Sequence, residues 1–380
     1  MHKNTVGAYG AWLERLAVKT PGPLSFRNKR FRSLAGWRRL AKAKALECLA
    51  PPPSVGRPKV RVLRKYVWEG LHVEHLQWQL PYGPPTDAIF LKPAGAKGRL
   101  PAVLALHCHG GNKFLGWCKV ARGKETPPIV SLRHGAQYYS GRYWANELAR
   151  KGFAVLVHDM FSFASRRVRT MDVLDRVRAG APRKDPVTLR EIAAYNDWAV
   201  AHESVMARAL FDSGITWPGV VLAEDQQALN VLCARPDVDL KRIGCGGRSG
   251  GGMRTVFLAG LDSRIKAGVA VGFMTTWADM AANKCWTHTW MAHIPHIAGY
   301  FDFPEILGLR APAPALVLNN TSDQLFTRSE MHRADSILRA VYKKAGASRN
   351  YECSFYPGLH KFDVPMQKEA FSFFERHLKR

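Results

Sequence analysis

No apolar run in this chain approaches the ~20 residues that a membrane-crossing helix needs, which excludes a transmembrane span. The opening residues Met1 to Gly7 lack a basic segment followed by an apolar one, so no secretory leader is expected. Acidic residues are scarce: 30 Asp and Glu stand against 56 Lys and Arg, a formal net charge of +26. That deficit raises the prospect of a polyanionic partner. The basic residues are spread along the whole chain, however, and a solvated surface accounts for them, so no nucleic-acid partner is expected. Seven cysteines, an odd count without a C-x-x-C pair, exclude a disulfide framework and fit reduced thiols in a cytoplasmic protein. Cys233 and Cys245 lie among apolar residues and are expected to pack. No internal repeat and no low-complexity tract occurs.

Glycine is abundant where it is least expected. A short apolar run, Ile243 to Cys245, leads into Gly246-Gly247-Arg248-Ser249-Gly250-Gly251-Gly252, and a helix-compatible stretch follows from Met253 to Leu261. Glycines at a helix start each cost about 1 kcal/mol against alanine, so propensity does not put them there; close backbone approach does. Gly247-Arg248-Ser249-Gly250-Gly251 fits G-x-S-x-G, the strand-to-helix turn that presents a nucleophilic serine. A glycine-rich βα turn or dinucleotide loop is the alternative. G-x-G-x-x-G is not matched and no Gly-Lys-Ser/Thr follows, which argues against a phosphate cradle.

At 380 residues and 47% hydrophobic, the chain can bury one large core and carry an appendage. Residues 1–60 differ in character from the rest. Trp12 to Leu16 reads as a short helix, and Ser33 can cap a second one reaching Leu49, with Leu34, Trp37, Leu40, Ala41 and Ala45 at helical spacing. Arg27, Lys29, Arg30, Arg32, Arg38, Arg39, Lys42 and Lys44 make this arm strongly basic, and Pro51-Pro52-Pro53 closes it. An amphipathic arm packed on the main domain is expected, rather than a tether for a membrane surface or nucleic acid. In residues 61–380, 69–80 and 86–93 read as antiparallel strands. Pro101 to Leu106 and Phe153 to Val157 are continuous apolar runs, typical of buried parallel strands. Further strands are expected at 265–271, 315–318 and 351–355, alternating with helices at 143–151, 189–210, 220–234, 327–344 and 364–378. Two excursions, at about 160–217 and 272–312, interrupt the pattern. Alternation of this kind means a mostly parallel central sheet with helices on both faces.

A serine hydroxyl is too weakly acidic to attack an ester unaided; it needs an imidazole base, itself held by a carboxylate. Downstream of Ser249, the strand 315–318 leads to Asp323 and the last strand leads to His360, the order serine, acid, histidine with each group after a strand. Asp279, His332 and His377 are rivals. An oxyanion hole needs backbone amides near the tetrahedral oxygen; Gly250 should supply one, and Gly111 or Asn112, in the loop His109-Gly110-Gly111-Asn112, the other. His107 and His109 invite a metal reading, but no third ligand is evident, so neither a metal nor any other cofactor is expected. Trp277, Trp286 and Trp290, in the second excursion, are candidate pocket walls, although core packing is the commoner fate of tryptophan.

Taken together, the serine–acid–histidine order, the His-Gly-Gly loop and the Asp159-Met160-Phe161-Ser162 to Arg166 stretch resemble the α/β-hydrolases of the acetyl xylan esterase and dienelactone-hydrolase-like group. Trp217-Pro218-Gly219 through Arg242-Ile243-Gly244 and Ala298-Gly299-Tyr300-Phe301-Asp302-Phe303-Pro304 are also similar to that group. The resemblance spans roughly residues 65–380. It implies an α/β-hydrolase fold and a serine carboxylic-ester hydrolase acting through an acyl-enzyme on a carbohydrate or other small ester. Dienelactone hydrolases proper use a cysteine where Ser249 stands, which favours esters. A peptidase or dienelactone-type hydrolase of the same fold, and a non-catalytic basic binding protein on this scaffold, are the competing readings. The basic arm lies outside the resemblance.

Overall fold

The computed structural model describes residues 4–17, 21–53, 56–178 and 180–379. Among them, nine strands form one sheet: β1 (Val60–Trp68), β2 (Leu71–Trp78), β3 (Thr86–Pro93), β4 (Leu100–Leu106), β5 (Ala154–His158), β6 (Val238–Arg248), β7 (Ala267–Val271), β8 (Ala315–Asn320) and β9 (Tyr351–Tyr356). Their spatial order is β1-β2-β3-β5-β4-β6-β7-β8-β9. The first three strands and the β3–β5 junction are antiparallel, and every pairing from β5 to β9 is parallel. The helices are α1 (Gly10–Ala17), α2 (Leu34–Leu49), α3 (Ile129–Tyr139), α4 (Trp144–Arg150), α5 (Leu189–Ala201), α6 (Glu203–Asp212), α7 (Trp217–Cys233), α8 (Gly250–Leu261), the single turn α9 (Trp277–Asp279), α10 (Phe303–Gly308), α11 (Arg328–Lys344) and α12 (Val364–Leu378).

The parallel strands read as unbroken apolar runs because both of their faces are covered. In β4, Ala102, Leu104 and Leu106 join one core with α7, α8, α10 and α11, whereas Val103 and Ala105 join another with α4 and α12. This period-2 division, with helices on each side, is what the strand–helix alternation predicts.

Three elements differ from expectation. β1 precedes the expected hairpin and joins β2 through Glu69 and Gly70, both at positive φ (46° and 74°). Its residues are mostly exposed, so no buried alternation announces it. The single helix expected over 189–210 is two, α5 and α6, with a turn at His202, whose ring stacks 4.6 Å from that of Trp198. No glycine or proline marks that break. α3 follows from no clear sequence pattern.

The arm is fastened to the body. Ser33 caps α2 by accepting from Gly36 N at 3.2 Å. Its buried stripe is Trp37, Ala41, Ala45 and Leu49, while Leu40 points outward. Trp37 stacks on Phe26 (centroids 4.7 Å apart) and donates from Nε1 to Leu24 O at 2.7 Å. Arg38 donates to the carbonyls of Leu309 and Ala311, beyond α10. The Glu305 carboxylate within α10 accepts from Ser25 Oγ (2.5 Å) and Phe26 N (3.1 Å).

Candidate active site

β6 runs straight into Ser249, whose backbone (φ 56°, ψ −121°) lies in a region L-residues rarely occupy, at a cost on the order of 1–3 kcal/mol. Helix α8 begins at the next residue. The elbow is held in place because its amide, Ser249 N, donates to Val271 O at 2.7 Å. The glycines are explained by contact: a Cβ on Gly247 or Gly251 would lie 2.2 or 2.1 Å from Leu106 O, and one on Gly252 would lie 2.6 Å from Val271 O. Helix propensity is overridden by strand backbones that leave no room for a side chain.

Asp323 and His360 come together. His360 Nδ1 and Asp323 Oδ2 are 2.5 Å apart. The Asp323 side chain is fully buried, and its other oxygen accepts from Leu325 N at 2.9 Å. The His360 loop is pinned on both sides, by Arg248 Nη1 donating to His360 O (3.2 Å) and Lys361 N donating to Asn320 Oδ1 (3.1 Å). Burial, helped by the Arg248 charge, lowers the His360 pKa below its ordinary value despite the pull of Asp323. His360 Nε2 is buried and has no hydrogen-bond partner among the described residues, and His360 lines the same cavity as Ser249. The rivals are engaged elsewhere. Asp279 accepts from Thr275 Oγ1 (2.7 Å) and Thr327 N (3.0 Å). His332 stacks on Phe355, and His377 packs on Phe373.

The cavity measures about 420 Å³. Its floor is Ser249, Gly250 and His360, its near side is the His109-Gly110-Gly111 loop, and its roof includes His288, Trp286 and Trp290. Trp286 is 73% exposed, standing at the mouth. Trp277 is not part of this lining: it is buried, edge-on to Phe303 at 5.2 Å, with its amide donating to Asp302 Oδ1. His288, wedged against Phe273 and Phe326, has its pKa lowered to about 4 by burial and by His293, so its ring is neutral at pH 7.

The loop after β4, with Glu203 of α6 behind it, is arranged differently from what sequence reasoning assigned. Both loop amides expected to face a substrate already have acceptors: Gly111 N donates to His109 Nδ1 (3.1 Å) and Asn112 N to His109 O (3.2 Å). Asn112 lies outside the cavity lining, and its Oδ1 accepts from Leu115 N. Two amides of this loop, His109 N and Gly110 N, have no acceptor among the described residues, and of the two it is His109 N that a Cβ on Gly250, at the start of α8, would meet first, at 3.0 Å. The His109 ring is fixed by Glu203, at 2.8 Å from Nε2. Glu203 also meets Lys113 Nζ at 2.7 Å and accepts from Thr289 Oγ1 at 2.7 Å and Trp290 N at 3.2 Å. One buried carboxylate thus ties the β4 loop to both excursions. Burial pushes its pKa up, but Lys113 and His109 outweigh that and hold it well below the usual carboxylate range. No local motif marks Glu203, because its partners lie about 90 residues away on either side. His107, paired with His109 in sequence as a metal candidate, turns its Nδ1 to Cys108 O instead. Among the described residues no group of three or more His, Cys, Asp or Glu side chains converges as a metal site.

No family model matches the chain. It is 27% identical over 307 residues to a Bacillus subtilis (strain 168) protein named "Putative hydrolase YtaP", across 80% of this chain and 88% of that one. A solved structure described as a putative acetyl xylan esterase, from Bacteroides fragilis NCTC 9343, superposes with a TM-score of 0.67 at 19% identity, covering 93% of this chain and 83% of its own. A glucuronoyl esterase from Solibacter usitatus superposes with a TM-score of 0.59 at 14% identity, covering 94% and 97%.

Proposed function

We propose that this chain, whose fold is that of the α/β-hydrolases, is a serine carboxylic-ester hydrolase. The observation that carries the reading is the strained Ser249 sharing one cavity with an imidazole that is hydrogen-bonded to a buried carboxylate. In this reading Ser249 Oγ attacks the ester carbonyl while His360 Nε2 accepts its proton. Asp323 keeps the other ring nitrogen protonated and stabilises the imidazolium as it forms. His360 returns the proton to the leaving alcohol, and water then releases the acyl group from Ser249 by the same two steps. A lowered His360 pKa suits this role, since the free base is the resting form at neutral pH.

The tetrahedral oxygen needs two donors, each worth about 2.7–4 kcal/mol. Gly250 N is one, as a first-turn amide with no intrahelical acceptor. Because Gly111 and Asn112 have their own acceptors, and His109 N rather than Gly110 N lies against Gly250, His109 N is the second. The substrate is a carbohydrate ester or another small ester. The named activities of the acetyl xylan and glucuronoyl esterases support that class, as do the flat faces that Trp286 and Trp290 offer at the cavity. Seven cysteines without a disulfide fit a reducing, cytoplasmic setting.

The test is labelling with a fluorophosphonate probe, followed by a panel of acetylated sugars, methyl uronate esters and chromogenic acyl esters. The expected outcome is one labelled peptide containing Ser249, and turnover of at least one ester class that Ser249→Ala lacks. Labelling elsewhere, or none, would refute the assignment.

A further inference from the structure

Lys119 follows the loop that borders Ser249, in the single turn Trp117–Lys119, and it is fully buried. No carboxylate lies within ion-pairing distance of it among the described residues. Burial draws its pKa down to about 7, so near neutral pH the side chain exchanges between ammonium and amine. Burying a polar head group is unfavourable, and an apolar side chain of the same length would fill the space without that cost. What the head group does instead is specific: Nζ donates to two consecutive carbonyls, Cys108 O and His109 O, each at 2.9 Å. Its remaining side rests on the Phe163 ring, 4.4 Å from the centroid.

The Cys108–His109 peptide is trans, as only Phe161–Ser162 and Ala311–Pro312 are cis among the described bonds. In a trans peptide the C=O and the following N–H point in opposite directions. Holding Cys108 O toward Lys119 therefore turns His109 N–H the other way, and His109 N is the atom that a Cβ on Gly250 would meet first, at 3.0 Å. His107 Nδ1 meets the same oxygen at 3.0 Å. The ring of residue 109 is gripped by Glu203 and Gly111 N, and its carbonyl by Lys119 and Asn112 N. Its amide N–H is the one group left over.

We infer that Lys119 is a positioning residue for the hydrolysis: it orients the Cys108–His109 peptide and polarises it, so that His109 N–H is a preset and strengthened donor to the tetrahedral oxygen. A hydrogen bond accepted at a carbonyl strengthens the one donated by the amide of the same peptide, by about 10–30% in condensed-phase estimates. Lys119 Nζ supplies such a bond as amine or as ammonium, more strongly when protonated. The inference rests on the serine-hydrolase reading above, and it adds a residue that touches neither substrate nor Ser249.

The experiment compares Lys119→Met and Lys119→Gln with the unmodified enzyme, using a chromogenic acetate ester and an aryl trifluoromethyl ketone. The ketone adds to Ser249 to give a hemiketal oxyanion, so its affinity reports on oxyanion stabilisation without the leaving-group and deacylation steps. Removing one oxyanion donor costs about 10²–10³ in kcat. Misaiming and depolarising that donor should cost Lys119→Met about 10- to 100-fold in kcat, within that scale. KM should stay within about threefold, and ketone affinity should fall by the same factor as kcat. Lys119→Gln keeps an N–H donor and should recover part of both losses. A residue that merely packs would move neither ketone affinity nor the kcat-to-KM split. If Lys119→Met does not fold, Lys119→Gln carries the same comparison, with a smaller parallel loss of kcat and ketone affinity expected. Unchanged ketone affinity in the folded variants overturns the inference. Turnover retained by Ser249→Ala overturns the hydrolase reading itself. An inactive Ser249→Ala beside Lys119 variants of normal kcat and ketone affinity removes only the role of Lys119.

Discussion

Replacing Trp37 by Ala tests whether the arm is part of the structure or an accessory to the chemistry. Trp37 is fully buried, stacks on Phe26 at 4.7 Å, and donates its indole N–H to Leu24 O at 2.7 Å. Truncating a buried tryptophan costs about 3–5 kcal/mol, the loss of its packing and hydrogen bond included. A chain of 380 residues has an unfolding entropy of about 0.8 kcal/mol/K, so that cost lowers Tm by on the order of 5 °C. No α2 residue lines the cavity, so kcat on a small chromogenic ester at 25 °C should stay within about twofold of the starting value. Trp37→Phe keeps the stacking and loses the N–H bond, so it should cost about 1 kcal/mol and shift Tm by a degree or two. Thermal melting and steady-state assays on the three proteins make the comparison. A Tm shift below about 1 °C in Trp37→Ala, or a large kcat loss in a folded variant, would refute the reasoning.

Ser249→Ala should lower kcat by about 10⁴ or more without moving Tm downward, since it also relieves nothing that holds the fold; near-normal turnover would move the active site elsewhere. The pH profile of kcat/KM should show an acid limb below the ordinary histidine range near 6.5. His360 must be neutral to accept the Ser249 proton, and burial with Arg248 lowers its pKa; activity is therefore lost only as pH falls through that lowered value, and a limb above 7 would contradict the electrostatics. Trp286→Ala should raise KM for bulky esters and leave Tm unchanged, because the ring is 73% exposed. Trp277→Ala should do the opposite, costing about 3–5 kcal/mol of stability, and equal effects from the two would erase the distinction between wall and core.

Much of this was legible because the signals are local. Glycines that only backbone crowding explains mark the elbow at Ser249. Runs such as 101–106 mark strands covered on both faces. Asp323 and His360 follow from counting strand ends. What was not legible depends on contacts between distant segments. Glu203 sits in a helix like any other acidic residue until His109, Lys113, Thr289 and Trp290 are brought to it. Trp277 and Trp286, nine residues apart in one excursion, look equivalent in sequence, and only the fold sends one to the core and the other to the mouth. Gly111 and Asn112 are reasonable oxyanion donors by position, yet the geometry of the turn uses both amides internally. β1 escaped because its pattern is that of an exposed edge strand.

The close approach of Gly247 and Gly251 to Leu106 O, and of Gly250 to His109 N, has a consequence for how this molecule can change. With backbone against backbone, the serine turn packs tightly on β4 and the loop beside it, and a side chain added at Gly247 or Gly251 must displace the β4 strand. Innovation is closed off at that floor. The roof is different: Trp286, Thr287, His288 and Trp290 lie on a segment of short turns outside the sheet. New substrate preferences, in nature or in a library, should therefore arise by rewriting 284–296 over an unaltered floor, so a selection for altered esters is best confined to those positions.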